Sequence, residues 1–327
     1  MNDKTLYFCR TPLQAIIINN LLESRSGNHH VIYRPNNKSK KHEYYFNQLR
    51  TTHKTFISFQ PVSFSHSLSS IVEWLSLPTK IRQIKYNNLF IASIGDMVFS
   101  FFAARNKIAN IYLFDDGVFN LKQEEWVKWI SADSISNKIV RKIFRGEDKI
   151  FTQSRIAHHF TLYPAELCWL DCGTTQLNDL FAPNRVDLLH GAIEAKKIRV
   201  LLGSAYIKGE VDDDVKLLLN RNIRHEKIIH SQQFDLYIPH PAHSSQPVYS
   251  RILDEFFTKY PIDLMIAEDI IAALRKSGFS PIIYGFISSA LVNLSKDFKT
   301  VSIVLDEQMM LEAEIQKQLG AKIIKVF

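Results

Sequence analysis

Short apolar runs alternate with longer amphipathic segments along most of the chain, and this alternation constrains the fold more than any other feature. In the first third, Leu6–Cys9, Val31–Tyr33, Thr55–Phe59, Asn88–Ser93 and Ile111–Phe114 read as strands. Between them Leu13–Ser24, Glu43–Arg50, Ser67–Ser76 and Gly95–Arg105 read as helices. Thr11 is placed to cap the first of these, with Pro12 at its first helical position. Such a succession predicts a parallel sheet with helices on both faces.

Regularity lapses between about residues 121 and 190, a stretch that holds Trp126, Trp129 and Trp169 and a helical pattern over Ser134–Arg145. The alternation then resumes. Ile198–Leu202, Phe234–Ile238, Pro281–Tyr284, Val301–Val304 and Lys322–Val326 are predicted strands, and Val211–Asn222, Ile266–Ser277, Ser288–Leu294 and Met309–Leu319 predicted helices. A chain of 327 residues suits two domains of ordinary size. The expected fold class is therefore α/β, with two Rossmann-like doubly wound domains facing a central cleft. The first would span residues 1–190, including the Trp-containing helical segment, and the second residues 195–327.

Composition narrows the functional classes. Hydrophobic residues at 46% and charged residues at 22% are ordinary for a folded globular protein. The net charge of +7 points either to a lysine-rich solvated surface or to an anionic partner such as a membrane face or a phosphorylated glycolipid. No basic run is interleaved with aromatic residues, so a nucleic-acid platform is not expected. Cys9, Cys168 and Cys172 are odd in number, and no second Cys or His pair completes a zinc site, so neither a disulfide framework nor a metal is expected. The most apolar stretch, Leu89 to Phe114, is interrupted by Asp96, Arg105 and Lys107 and does not read as a membrane span. With a strand beginning almost at once, the expectation is a cytoplasmic protein.

In open α/β sheets ligands sit at the carboxyl ends of strands, and polar clusters fall at those ends here. His240 lies between Pro239 and Pro241 after a predicted strand. The two prolines stiffen the turn. An imidazole held there either closes the strand end or donates a proton to a phosphate leaving group. Asp115 and Asp116 precede Gly117 after another strand. One carboxylate can serve as general base while the other bonds the turn, or the pair can simply form an Asx turn completed by glycine. Tyr284 and Gly285 lead to Ser288 and Ser289 at a predicted helix start, which suits N-capping, anion binding by amides and hydroxyls, or both. Gly203 and Ser204 form a second phosphate-loop candidate, and Glu268, at the start of a helix, could meet ribose hydroxyls.

The order of these elements resembles the bacterial sialyltransferases of glycosyltransferase family 52. The matching stretches are Cys9-Arg10-Thr11-Pro12-Leu13-Gln14, Tyr44 to Gln48, Phe114 to Gly117 with Asn120, and Arg199 to Ser204. Pro239-His240-Pro241, Ala267 to Asp269 and Tyr284 to Leu291 continue the series. The resemblance implies a GT-B fold and inverting transfer of sialic acid from CMP-sialic acid to a galactose-type hydroxyl of a bacterial surface glycan, without metal or cofactor. It implies His240 as the group that protonates or hydrogen-bonds the departing phosphate, and Asp115 or Asp116 as general base. Gly203, Ser204, Pro239, Pro241, Glu268, Tyr284, Gly285, Ser288 and Ser289 would bind the donor, and Thr11, Gln14 and Asn120 would lie on the acceptor side. It also suggests a homodimer; the aromatic residues of the Trp-containing segment either seal its interface or pack on their own domain, and any membrane attachment would be peripheral, at the cytoplasmic face of the inner membrane. In one place the chain departs from the pattern. Family members often carry Gly-Ser-Pro-Asp where this chain has Gly203-Ser204-Ala205-Tyr206. A tyrosine is a poor base at neutral pH. Either Asp116 is the base, or the chain uses another CMP-nonulosonic acid, a UDP-hexose or a different acceptor, or it binds sugar nucleotides or glycans without turnover.

Overall fold

The computed structural model describes residues 4–35, 39–52, 56–59, 67–107, 109–115, 117, 119–121, 123–132, 135–178, 180–181, 196–203, 224, 227–228, 234–240, 249–250, 262–286, 288–305 and 307–325. Two compact units divide the chain, Met1–Leu180 and Phe181–Phe327. The boundary expected between residues 190 and 195 lies outside the described residues.

The first unit is built on a sheet of seven parallel strands in the order β3-β2-β1-β4-β5-β6-β7. Its strands are β1 (Lys4–Cys9), β2 (Asn28–Tyr33), β3 (Phe56–Phe59), β4 (Asn88–Ile91), β5 (Asn110–Phe114), β6 (Ile156–Thr161) and β7 (Gly173–Gln176). The inner strands are buried on both faces, which is why they read as nearly unbroken apolar runs. The helices are α1 (Pro12–Glu23), α2 (Lys40–Thr52), α3 (Ser67–Ser76), α4 (Thr79–Gln83), α5 (Met97–Arg105), α6 (Gln123–Ser131), α7 (Ile135–Phe144) and α8 (Lys149–Ser154). Strand order reverses between β1 and β4, so the chain winds one way through β1 to β3 and the other way from β4 onward.

Local chemistry starts the helices where the pattern predicts. The Thr11 hydroxyl accepts from the Gln14 amide at 3.3 Å, and the Gln14 side-chain oxygen accepts from the Arg10 amide at 2.7 Å. This reciprocal cap satisfies donors that the first turn leaves without helical partners. Asp96 caps α5 through the Phe99 amide at 3.0 Å. Every residue of α5 from Met97 to Ala103 is buried, as expected of a helix that is apolar all round. Helices α3, α7 and α8 pack on α5 and form an outer layer.

The less regular middle of the chain holds two strands, β6 and β7, that the hydrophobic pattern does not reveal. Its tryptophans pack within their own unit. Trp126 is fully buried, with ring centroids 5.6 Å from Trp129 and 5.8 Å from Trp169. Trp126 belongs to the core of this unit, and Trp129 and Trp169, partly buried, pack against it.

Among its described residues the second unit carries six strands in the order β10-β9-β8-β11-β12-β13. They are β8 (Lys196–Leu202), β9 (Leu236–Ile238), β10 (Tyr249–Ser250), β11 (Phe279–Gly285), β12 (Lys299–Val304) and β13 (Lys322–Lys325). All neighbours are parallel except β10, which runs antiparallel to β9 at one edge. Helices α9 (Ala267–Lys276), α10 (Ser289–Leu294) and α11 (Met310–Gln318) accompany it, and the helix predicted at Val211–Asn222 lies outside the described residues. Strand order reverses here between β8 and β11. Each unit is thus a doubly wound Rossmann-like sheet with its own reversal point.

Gly95 joins β4 to α5 under the ring of Trp129, where a Cβ would fall inside the indole. Gly95→Ala is expected to destabilise the first unit by about 1–3 kcal/mol, measured by urea unfolding followed through tryptophan fluorescence.

Candidate functional site

At a reversal point the two strand ends diverge and leave a crevice between the loops that follow them, where ligands of such folds bind. In the second unit those loops follow β8 and β11. Gly203 immediately follows β8, and its amide donates to Ile238 O at 2.8 Å. This bond brings the Pro239-His240 turn, which follows the neighbouring strand β9, against the end of β8. The approach is close enough to require glycine: a Cβ on Gly203 would lie 2.8 Å from the His240 backbone nitrogen and 2.8 Å from the Tyr237 hydroxyl. His240 is half-buried at that edge.

On the other side of the reversal point, Gly285 ends β11 and is paired with Leu202 of β8. Ser288 follows as the N-cap of α10, its hydroxyl accepting from the Leu291 amide at 3.1 Å, and Ser289 is exposed on the first turn. Tyr284 is half-buried, edge-on to Phe234 with centroids 5.2 Å apart. Glu268 lies in the first turn of α9, buried, and its Oε1 accepts from Asn293 Nδ2 of α10 at 2.9 Å. The candidates Gly203, Pro239, His240, Gly285, Ser288 and Ser289 therefore share the carboxyl edge of one sheet, at strands next to or flanking its reversal point. Ser204 and Pro241 lie outside the described residues.

In the first unit the crevice is flanked by the ends of β1 and β4. Thr11 and Gln14 stand there, and both are engaged in capping α1. Two arginines that the pattern did not single out converge on the same edge. Arg10 Nε donates to Asp96 Oδ2 at 2.7 Å, and Arg34 Nη1 approaches Asp96 Oδ1 at 3.4 Å. Burial would raise the Asp96 carboxyl, but the two guanidiniums and the Phe99 amide hold it below the usual carboxylate range. Burial in turn lowers Arg34 to about 10. Two guanidiniums thus meet on one carboxylate beside the crevice. Arg10 immediately follows a strand and adjoins Thr11. That position was the available signal.

Asp115 is enclosed within its own unit. It is 0% exposed, and its carboxylate is enclosed by donors from β6 and the loop beyond it. His159 Nε2 lies 2.9 Å from Oδ1, and the Thr161 hydroxyl and Leu162 amide donate to Oδ2 at 2.8 and 2.6 Å. Asn120, also buried, donates to Phe114 O at 3.3 Å and to Asp115 Oδ1 at 3.4 Å, and its carbonyl accepts from Trp169 Nε1 at 2.9 Å. Gly117 closes the turn at φ +68°. Asp115 is thus the carboxylate that bonds the turn, and Asn120 braces the same loop. Asp116 lies outside the described residues. Burial would lower the His159 pKa, but its hydrogen bond to Asp115 and the neighbouring Cys168 outweigh that and push it up to about 9.

Among the described residues, no three His, Cys, Asp or Glu side chains are grouped to hold a metal ion. None of the described helices is long and apolar enough to cross a membrane.

Two doubly wound units in tandem define a GT-B type α/β protein, and solved structures share this architecture. An Arabidopsis thaliana protein, UGT89C1, complexed with UDP, aligns over 99% of this chain and 86% of its own length, with a TM-score of 0.52 and 11% identity. The model of glycosyltransferase family 52 matches residues 27–306, and the chain belongs to that family. An N-acetyllactosaminide alpha-2,3-sialyltransferase of Neisseria meningitidis is 25% identical over 207 residues, 61% of this chain and only 55% of that protein. A CMP-N-acetylneuraminate:beta-galactoside alpha-2,3-sialyltransferase of Pasteurella multocida is 20% identical over 331 residues, covering 98% of this chain and 99% of its own.

Because His159 titrates higher folded than unfolded, its contribution is complete below about pH 6.5 and is lost as pH rises through about 9. Thermal melts across that window are expected to show wild type losing stability relative to His159→Gln. Asp115→Ala, which strands a buried imidazolium, is expected to cost about 3–5 kcal/mol at neutral pH.

Proposed function

We propose that the chain is an inverting, metal-independent sialyltransferase that moves sialic acid from CMP-sialic acid to a terminal galactose hydroxyl of a bacterial surface glycan. Family membership supports glycosyl transfer, and the names of its two relatives support the sialyl donor. The observation that carries the reading furthest is the packing of His240 on Gly203 beside the reversal point of the second sheet.

In this reading the nucleotide lies over the ends of β8 and β11, with its phosphate near the Ser288 and Ser289 hydroxyls and the first turn of α10. Ser204, Pro241, Tyr284 and Glu268 complete the donor side. The acceptor hydroxyl oxygen attacks the anomeric carbon from the face opposite the phosphate. As that bond forms, the bond from the anomeric carbon to the phosphate oxygen breaks and CMP departs. His240 donates a hydrogen bond or a proton to the departing phosphate, and Asp116 takes the proton released by the acceptor hydroxyl. Asp115, locked in its turn, holds the loop that presents Asp116. The transition state is oxocarbenium-like, so stabilising the phosphate and activating the acceptor are the protein's main tasks. We further propose that the enzyme acts as a homodimer on the cytoplasmic side of the inner membrane.

The deciding assay is incubation with CMP-sialic acid and lactose-terminated acceptors in the presence of EDTA, scored by acceptor-dependent CMP release. A response only to UDP-hexoses or to another CMP-nonulosonic acid would replace the donor, and CMP binding without turnover would replace the enzyme by a binding protein. His240→Ala is expected to lower kcat by about 10²–10⁴-fold while retaining CMP binding. Full activity in that variant would remove the histidine from the mechanism. Asp116→Asn is expected to lose turnover at an unchanged melting temperature, whereas Asp115→Ala loses the melting temperature itself. Gly203→Ala is expected to reduce turnover through displacement of the His240 backbone, with the KM for the acceptor unchanged.

A further inference from the structure

A helix on the surface of a soluble unit normally turns its apolar stripe inward. Helix α7 does not follow this rule. Val140 faces the core, but Ile135, Ile139 and Ile143 recur at four-residue spacing on the opposite side and are 79%, 52% and 66% exposed. Lys138 and Lys142, both exposed, border this stripe, and the helix carries Lys138, Arg141 and Lys142 with no acidic residue. The neighbouring helix α8 presents Ile150 and Phe151, 66% and 54% exposed. Between the two helices the surface dips into a cavity of about 700 Å³ whose lining includes Lys138, Arg141, Lys142 and Lys149 against the single carboxylate of Asp148, with Ile150 and Phe151 at its side. Helix α3, packed on α7, adds Val72 and Leu75 to the exposed apolar side chains. The feature is therefore a property of a whole helical layer, with apolar ridges, lysine borders and a basic recess.

We propose that the outward face of this layer, centred on α7 and α8, docks the protein on an anionic lipid surface. Isoleucines flanked by lysines suit the boundary between headgroups and acyl chains: the apolar side chains enter by about 5–10 Å while the ammonium groups snorkel to the phosphates. The charge pattern favours lipid over a second copy of the chain. A symmetric contact through the outward face of α7 would set its two exposed lysines against two more, with no acid on that helix to answer them. Anionic headgroups supply that complement. The face belongs to the first unit and includes none of the residues assigned to the donor, so its test does not depend on the donor's identity.

The full-length protein would be sedimented with vesicles of phosphatidylcholine alone and of phosphatidylcholine mixed equally with phosphatidylglycerol. Binding to the anionic vesicles is expected, falling as salt rises and weak on the neutral ones. Lys138→Glu combined with Lys142→Glu, and separately Ile139→Ser combined with Ile143→Ser, should each weaken it by about tenfold or more. Both variants are expected to keep the wild-type melting temperature and turnover of a small soluble acceptor. Equal binding to both vesicle types, or unchanged binding of either variant, would overturn the proposal. So would absence of vesicle binding together with a concentration-dependent dimer that the isoleucine variant abolishes, which would assign the face to a second copy. Failure of sialyl transfer in the donor assay would leave the vesicle result untouched, so the two readings fail separately.

Discussion

A carboxylate taken out of water is tolerated only when donors surround it, and Asp115 has three strong ones within 2.6–2.9 Å. Those donors come from β6 and the residues just beyond it, so the bonds fix the end of β5 against the end of β6. The same carboxylate reaches Asn120, and through the Asn120 carbonyl the Trp169 indole. One buried charge thereby joins two strands, the loop after β5 and the segment before β7. The loop that carries Asp116 starts from this anchored residue. Its ring partner His159 is held to a raised pKa by that contact, so the carboxylate and the imidazole are placed by the same bond.

The second unit positions its chemistry by a different means, through backbone contact. Gly203 and the Pro239-His240 turn meet main chain to main chain, through one amide-to-carbonyl bond and a surface with no room for a Cβ. Proline restricts the turn from one side and glycine permits the approach from the other. The histidine's place is therefore set by groups that have no rotamers to lose. Ser288 contributes similarly, since its capping bond orients the first turn of α10.

Much of this was legible in the sequence, and the parts that were not have physical reasons. Strands β1, β4, β5 and β12 are largely buried on both faces, and β8 is buried along its Val200–Leu202 end, so they stand out as apolar runs. Strand β7 lies at the sheet edge and reads Gly-Thr-Thr-Gln, so nothing in its hydrophobicity marks it. Strand β6 is interrupted by His158 and His159, and the second of these is there to pair with Asp115. Because β6 was not recognisable, its service to a carboxylate 44 residues earlier was not either, and the adjacent aspartates could not be told apart. The Arg10–Asp96 pair spans 86 residues and meets only because β1 and β4 are neighbours. Strand ends, by contrast, are local features. Gly203, His240 and Ser288 were readable for that reason.

The tryptophan seated on Gly95 has a mechanical consequence. Trp129 is clasped from its other side by Lys149, whose ammonium lies 4.2 Å from the ring centroid and donates to the Trp129 carbonyl at 2.9 Å. Gly95 is followed at once by Asp96, which gathers Arg10 and Arg34. From α8 to the crevice of the first sheet there is thus an unbroken relay of rigid contacts: ammonium, indole, glycine, carboxylate, guanidinium. A change at α8 that displaces the Lys149 ammonium therefore reaches the guanidiniums at the crevice by way of Trp129, Gly95 and Asp96.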